Sequence, residues 1–305
     1  MLKAIIFATM MLSLIEKGNY YSNGTELPYE IHDDYIRPLR ELVNPDLQKR
    51  LEIRLNKNNK WAKLIKKRKM AVGLVDLSDP YNVKFARING DEMMYAASLP
   101  KLAILLAAAQ AMEDSTLIST PAIEEDMREM ISQSDNAAAT RMIDRLTFEK
   151  IEEILTDPRY ELYDQEHGGG LWVGKRYAKT GKRYPDPIMG LSHGATVTQV
   201  CRFYYLLAMG KLVSHERSAQ MLQILSEPEL HHKFVNTLDR VVPDAKLFRK
   251  SGTWKKWHSD SILVWGPVWR RYIAAALVED ASGETILRNL ILEMEKVLIV
   301  EKPSR

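Results

Sequence analysis

From Leu99 to Met112 the chain reads Leu-Pro-Lys-Leu-Ala-Ile-Leu-Leu-Ala-Ala-Ala-Gln-Ala-Met, an apolar run with no polar face. Such a pattern predicts a helix buried on every side, and Pro100 fits it only in the first turn. Upstream, residues 42–69 alternate charged and apolar positions as a charged amphipathic helix would. They lead into a strand, Met70-Ala-Val-Gly-Leu-Val-Asp76, a turn at Asp79-Pro80 and a second strand near Lys84 to Ile88. Residues 99 to about 235 read as mainly helical with one loop-rich stretch, 156–192. Ala245 to Arg249, Ser261 to Gly266 and Tyr272 to Val278 then read as three short strands before a final helix, Gly283 to Val300. Strands at both ends around a helical middle predict an α/β fold in which one sheet is assembled from the two ends of the chain. Residues 42–97 and 240–305 would form the sheet lobe, 98–239 the helical lobe, and a site would lie in the cleft between them.

Composition narrows the class. The 305 residues, 46% hydrophobic and 27% charged, suit a soluble globular protein with a sizeable core. A net charge of +3 is spread along the chain except at Lys63-Leu-Ile-Lys-Lys-Arg-Lys69, which reads as a solvated helix end, so no nucleic-acid partner is expected. The single cysteine, Cys201, excludes an internal disulfide and lies in a helical pattern that suits a packed thiol. His231-His232 and the other histidines give no metal-ligand spacing, and no metal or cofactor is expected. Residues 1–25 begin with a positive Met1-Leu-Lys3 and a short apolar core, as in a secretory signal, without an evident cleavage site; a retained N-terminal anchor or helix is the alternative. Export to a periplasmic or extracellular location is the expectation, with a cytoplasmic one the alternative.

Candidate chemistry concentrates in three short segments. Ser98 and Lys101 stand three residues apart; if a helix begins at Ser98, the lysine amine lies beside the serine hydroxyl. A serine needs a base to attack a carbonyl, and burial together with the positive helix end would push that amine towards its neutral, basic form. Ser134-Asp135-Asn136 forms a polar break between helical stretches, where the same residues would also serve as a helix cap. Lys250-Ser251-Gly252-Thr253 falls in the first of the C-terminal strands. Two other segments imitate motifs. Lys179-Thr180-Gly181 sits in a basic loop and reads as solvated turn. Gly190-Leu-Ser-His-Gly194, following His167-Gly-Gly-Gly170, imitates a nucleophile elbow, but Pro185 and Pro187 argue against the strand that an elbow requires before it.

In that order the three segments resemble the S-x-x-K, S-D-N and K-T-G motifs of class A β-lactamases and penicillin-binding D,D-peptidases, a likeness in motif order spanning roughly residues 42–300. The resemblance implies a three-layer sandwich: an antiparallel sheet flanked by helices, with a helical lobe inserted. It implies Ser98 as nucleophile, Lys101 as base, and Ser134 as a proton relay to the leaving group. Asn136 would meet the substrate amide, Asp135 would hold the turn, and Lys250 would face the carboxylate that β-lactams and D-Ala-D-Ala peptides share. Ser251 and Gly252 would line the substrate's path, and Thr253 would join the Ser98 N–H in an oxyanion hole.

The chain also departs from that family. Class A enzymes deacylate with a loop glutamate in an E-x-x-L-N pattern, whereas here no asparagine occurs between Asn136 and Asn236; Glu166 is the candidate base by rough position. The interval from Ser98 to Ser134 is short, the Gly168 to Lys175 loop is enlarged, and Trp254 adds bulk beside the oxyanion position. The expected function is β-lactam amide hydrolysis through an acyl-enzyme at Ser98, by a monomer acting on a small molecule. The alternatives are a D,D-peptidase, a small-ester or amide hydrolase, and a penicillin- or cell-wall-peptide-binding module without turnover.

Overall fold

The computed structural model describes residues 26–226 and 228–299. The signal-like segment 1–25 lies outside the described residues. Two helices, α1 (Pro45–Asn56) and α2 (Asn59–Lys66), precede strands β1 (Met70–Asp76) and β2 (Lys84–Ile88). The single amphipathic helix expected over 42–69 is therefore divided. Asn58 breaks it, because its side chain accepts hydrogen bonds from the Lys60 and Trp61 N–H groups at 3.0 and 3.2 Å and starts a new helix.

After a short strand β3 (Met94–Tyr95) come four helices, α3 (Lys101–Glu113), α4 (Pro121–Ser132), α5 (Asn136–Leu146) and α6 (Phe148–Thr156). Residues 157–192 hold the two-residue strands β4 (Tyr163–Asp164), β5 (Gly169–Gly170) and β6 (Trp172–Val173) within irregular loop; β7 (His193–Ala195) follows. The chain then continues through α7 (Val197–Ala208), α8 (His215–Leu225) and α9 (Lys233–Val241). Strands β8 (Lys246–Trp254), β9 (Trp257–Trp265) and β10 (Arg271–Glu279) and the final helix α10 (Gly283–Leu298) complete it.

The main sheet has five strands in the order β2-β1-β10-β9-β8, all antiparallel, so its centre is where the two ends of the chain meet. Period-two alternation distributes its side chains between two cores. Met70, Val72 and Leu74 of β1 join Tyr272, Ala274 and Ala276 of β10 beneath α1, α2, α9 and α10. Ala71 and Val75 join Ile273, Ala275 and Leu277 on the opposite face, beneath α7 and the helices around α3. The fold is thus the expected α/β three-layer sandwich. One boundary moves: α9 falls inside the 98–239 segment assigned to the helical lobe, yet Phe234, Val235 and Leu238 pack into the outer core of the sheet lobe.

Candidate active site

Helix α3 runs through the larger core with Leu102 to Ala111 buried, and its surroundings bury Lys101 completely. The helix begins at Lys101 rather than at Ser98. Residues 97–100 form the tight turn before it, with Ala97 at φ 53° and the Lys101 N–H donating to the Ser98 carbonyl at 3.2 Å. Pro100 explains the delay: with φ fixed near its value of −65° and no N–H, it is accommodated in the entry turn. Ser98 therefore stands at the positive end of the central helix, where the dipole favours a developing alkoxide.

The break between α4 and α5 completes the neighbourhood. Ser134 is left-handed at φ 59°, a conformation that costs a serine about 1 kcal/mol and persists only when its surroundings hold it. Two contacts do so. Asp135 caps α5 by accepting from the Ala138 N–H at 2.6 Å, and the Ser134 carbonyl accepts from the Lys101 amine at 2.6 Å. The amine also donates to the Asp135 carbonyl at 3.1 Å and Asn136 Oδ1 at 2.9 Å, and lies 3.4 Å from Ser134 Oγ. Burial is the main influence on this amine and lowers its pKa to about 7, against the opposing charge of Asp135.

From the other side, strand β8 brings Lys250 Nζ to 2.8 Å from Ser134 Oγ and 3.1 Å from the Ser251 carbonyl. Burial pushes the Lys250 amine well down, with the nearby Lys101 charge the next influence. Ser134 Oγ thus bridges two buried amines, an arrangement suited to passing a proton between them. A side chain on Gly252 would come within 2.6 Å of the Ser98 nitrogen and 2.3 Å of the Ala96 carbonyl, so only glycine lets this strand lie against the Ser98 turn. β8 is an edge strand, and Trp254 and Trp257 close its hairpin with β9. Alternation along an antiparallel ladder then turns the Thr253 N–H away from β9, towards the open edge beside Ser98.

The strand is held from behind by charges buried in the fold. Arg249 and Asp260 form a buried pair at 2.7 and 3.0 Å, His232 Nε2 lies 3.0 Å from Ser251 Oγ, and Lys233 donates to the Gly252 and Ser259 carbonyls at 2.6 and 2.9 Å.

Several residues of this site lie outside all three motifs, Tyr177 and His193 among them. Tyr177 places its ring 4.6 Å from the Lys101 amine and donates its hydroxyl to the Ala97 carbonyl at 3.3 Å. His193 stacks beside it with ring centres 4.3 Å apart. The Lys175 carbonyl, 3.0 Å from His193 Nε2, can only accept, so Nε2 carries the proton and Nδ1 receives the Ser192 hydroxyl at 3.1 Å. Burial lowers the His193 pKa to about 4, and with both nitrogens engaged this neutral ring is a platform for Tyr177, not a base. Spacing offers no signal for either residue, because the loop that carries them has no periodicity.

Ser98, Asn136 and Thr253 line one cavity of about 950 Å³ together with Tyr177, Trp254 and Trp257. Glu166 does not join it. It is exposed in a short 3₁₀ turn whose N–H is held by Asp164 at 2.9 Å, and no carboxylate lines the cavity among the described residues. The residue expected as deacylation base thus stands outside the cavity that Ser98 lines. The basic loop around Lys179, expected to be solvated turn, is exposed at Lys179 but forms part of the cavity wall. Ser192 has no strand before it; β7 begins just after it, so the elbow geometry is absent.

A profile of the Beta-lactamase enzyme family matches residues 115–299, well over half of the 305, and the chain belongs to that family. The match begins after the Ser98 turn, so Ser98 and Lys101 rest on the geometry above. No curated protein matches the chain. Among solved structures, a β-lactamase from Sphaerobacter thermophilus superposes with a TM-score of 0.61 at 16% identity, over 82% of this chain and 95% of the other. PBP-A gives 0.60 at 18% identity over 89% and 98%. A β-lactamase from Chitinophaga pinensis gives 0.59 at 15% identity over 79% and 98%. At these identities the likeness is one of fold. The protein is a β-lactamase-like hydrolase.

Proposed function

We propose that the protein forms an acyl-enzyme at Ser98 with β-lactams and with amides of similar shape that carry a carboxylate. The observation that carries this reading is the Lys101–Ser134–Lys250 chain, two buried amines each held to Ser134 or its backbone, with Ser98 and the Lys101-bound Asn136 lining one cavity. Ser98 Oγ attacks the carbonyl carbon and gives its proton to neutral Lys101. The oxyanion is received by the Ser98 and Thr253 N–H groups, and as the C–N bond breaks the leaving nitrogen takes a proton through Ser134. An arriving carboxylate raises the proton affinity of Lys250 and so recovers the charge that burial suppresses.

Deacylation distinguishes the readings within this class. Among the described residues no carboxylate lines the cavity, and the Tyr177 ring covers the amine that would otherwise activate water. That favours a long-lived β-lactam adduct, as in a penicillin-binding peptidase, over rapid hydrolysis. One of the structural relatives, a mutant of PBP-A, is described as an acyl-enzyme complex with penicillin G, which supports carrying β-lactam acylation over to this chain.

The test is intact-protein mass spectrometry after mixing with benzylpenicillin, followed over hours beside a nitrocefin hydrolysis assay. The expected result is one adduct that persists, with none on Ser98→Ala. An adduct that vanishes while nitrocefin turns over steadily would establish a working β-lactamase and overturn slow deacylation. Absence of any adduct would overturn the reaction itself.

A further inference from the structure

The wall of the Ser98 cavity is charged on one side only. Lys175, Arg176, Lys179 and Arg183 contribute to it, while among the described residues no aspartate or glutamate does. Arg176 is neutralised by Asp144 at 2.5 Å. Among the described residues the other three have no acidic partner: Lys175 donates to the Lys179 carbonyl at 3.3 Å and Arg183 to the Gly190 carbonyl at 2.7 Å, contacts that hold the loop's shape and leave the charges uncompensated. A concave wall of one sign concentrates the potential inside the cleft, so these cations act on whatever occupies it more strongly than scattered surface lysines would.

Their position selects which part of a substrate they meet. Along β8, Lys250 lies at one end of the motif and Trp254 at the other; Thr253 and Trp254 line the cavity and Lys250 does not. The leaving-group nitrogen must sit near Ser134, which passes it a proton, on the Lys250 side of the strand. The part of the substrate that stays on Ser98 then extends the other way, between the Trp254 and Trp257 rings and the cationic loop. We propose that this cavity selects acyl donors whose acyl portion carries its own anionic group, a carboxylate beside an apolar or aromatic body, in addition to the carboxylate that faces Lys250. This placement of the acyl portion rests on the acyl-enzyme reading; the anion preference of the cavity rests on its lining.

Benzylpenicillin and carbenicillin form a matched pair for the test, since carbenicillin adds one carboxylate to the same acyl side chain. Calorimetric titration of the Ser98→Ala protein measures binding without reaction. The expected result is about tenfold tighter binding of carbenicillin at low salt, a gap that narrows as ionic strength rises and closes in Ser98→Ala carrying Lys179→Ala and Arg183→Ala. Equal affinities, no binding of either compound, or a gap indifferent to salt would overturn the proposal. The salt titration of the parent keeps the test decisive even if the added substitutions loosen the loop. Labelling of the unmodified protein reports separately: adducts without the carbenicillin preference in binding sink this inference alone, whereas the preference without adducts sinks the proposed reaction alone.

Discussion

Tyr177 holds its ring 4.6 Å from the Lys101 amine and ties its own hydroxyl to the Ala97 carbonyl at 3.3 Å, so a loop residue outside the three motifs shapes the environment of the base. The ring does two opposed things. Its face attracts a cation, and its bulk adds to the burial that lowers the amine to about 7. In the proposed reaction only the neutral amine accepts the Ser98 proton, and acylation should therefore rise with pH to half its plateau near 7. In Tyr177→Ala water reaches the amine, its pKa recovers, and the rise should move to more alkaline pH. Tyr177→Phe keeps the ring and should leave the rise in place. Stopped-flow acylation across pH 5.5 to 9.5 checks this, and an unmoved profile in Tyr177→Ala would remove the residue from the site's electrostatics.

Ser134 joins a strained backbone to a hydroxyl shared by two lysines, and substitution can separate the two. Ser134→Ala keeps the strain and loses the hydroxyl, while Ser134→Gly loses both. The glycine variant should be the more stable of the pair by about 1 kcal/mol in urea denaturation. Both should acylate about a hundredfold more slowly than the parent, the usual scale for losing a proton relay. If the glycine variant were no more stable, the left-handed turn would not be storing strain; if either variant acylated normally, the hydroxyl would not be relaying protons.

What the sequence made legible follows from which features are periodic or local. The short apolar runs in Met70–Asp76 and Tyr272–Val278 announce strands, and their apolar side chains lie on both faces of the sheet, between two layers. Ser98, Lys101, Ser134 and Lys250 were visible as spaced motifs, and the structure brings them to one place. The start of α3 was misread by three residues because Pro100 permits either an entry turn or a first helical turn. Tyr177 and His193 were invisible for a different reason: their place beside Lys101 is set by the path of an irregular loop, pinned by contacts such as Trp172 Nε1 to the Tyr184 carbonyl at 2.9 Å. The same loop made Glu166 look like a candidate by its distance along the chain, which in irregular structure says little about position in space.

Glu166 is exposed in its own 3₁₀ turn and does not line the Ser98 cavity. Glu166→Gln should therefore leave both the acylation rate and the lifetime of the benzylpenicillin adduct within about twofold of the parent, the spread of an ordinary surface substitution. A markedly longer lifetime in the variant would show that the loop carries this carboxylate to the acyl-enzyme.

Lys233 ties the site to stability. Its side chain is fully buried at φ 54°, its amine donates to the Gly252 and Ser259 carbonyls, and the nearest carboxylate, Asp260, is taken up by Arg249. Burial lowers its pKa from 10.5 to about 8. Between these values the unfolded chain binds a proton that the folded one does not, so stability should rise with pH from about 8 towards 10.5; below 8 both states are protonated and this group contributes no slope. Lys101, lowered to about 7, adds a rise of the same sign that starts earlier. From Lys233 alone the gain by pH 9.5 should be about 2 kcal/mol, at roughly 1.4 kcal/mol per unit of displaced pKa. Urea denaturation at pH 7.5 and 9.5 measures it as the difference between the parent and Lys233→Met, which cancels the opposing ionisation of Cys201 and of buried tyrosines that titrate in the unfolded chain by pH 9.5. Lys233→Met fills the same space without the charge, and its stability should climb less between the two pH values by about that amount. A Lys233→Met protein whose stability changes between the two pH values just as the parent's does would mean that the amine keeps its proton inside the fold, and that the carbonyls of Gly252 and Ser259 compensate it more fully than burial penalises it.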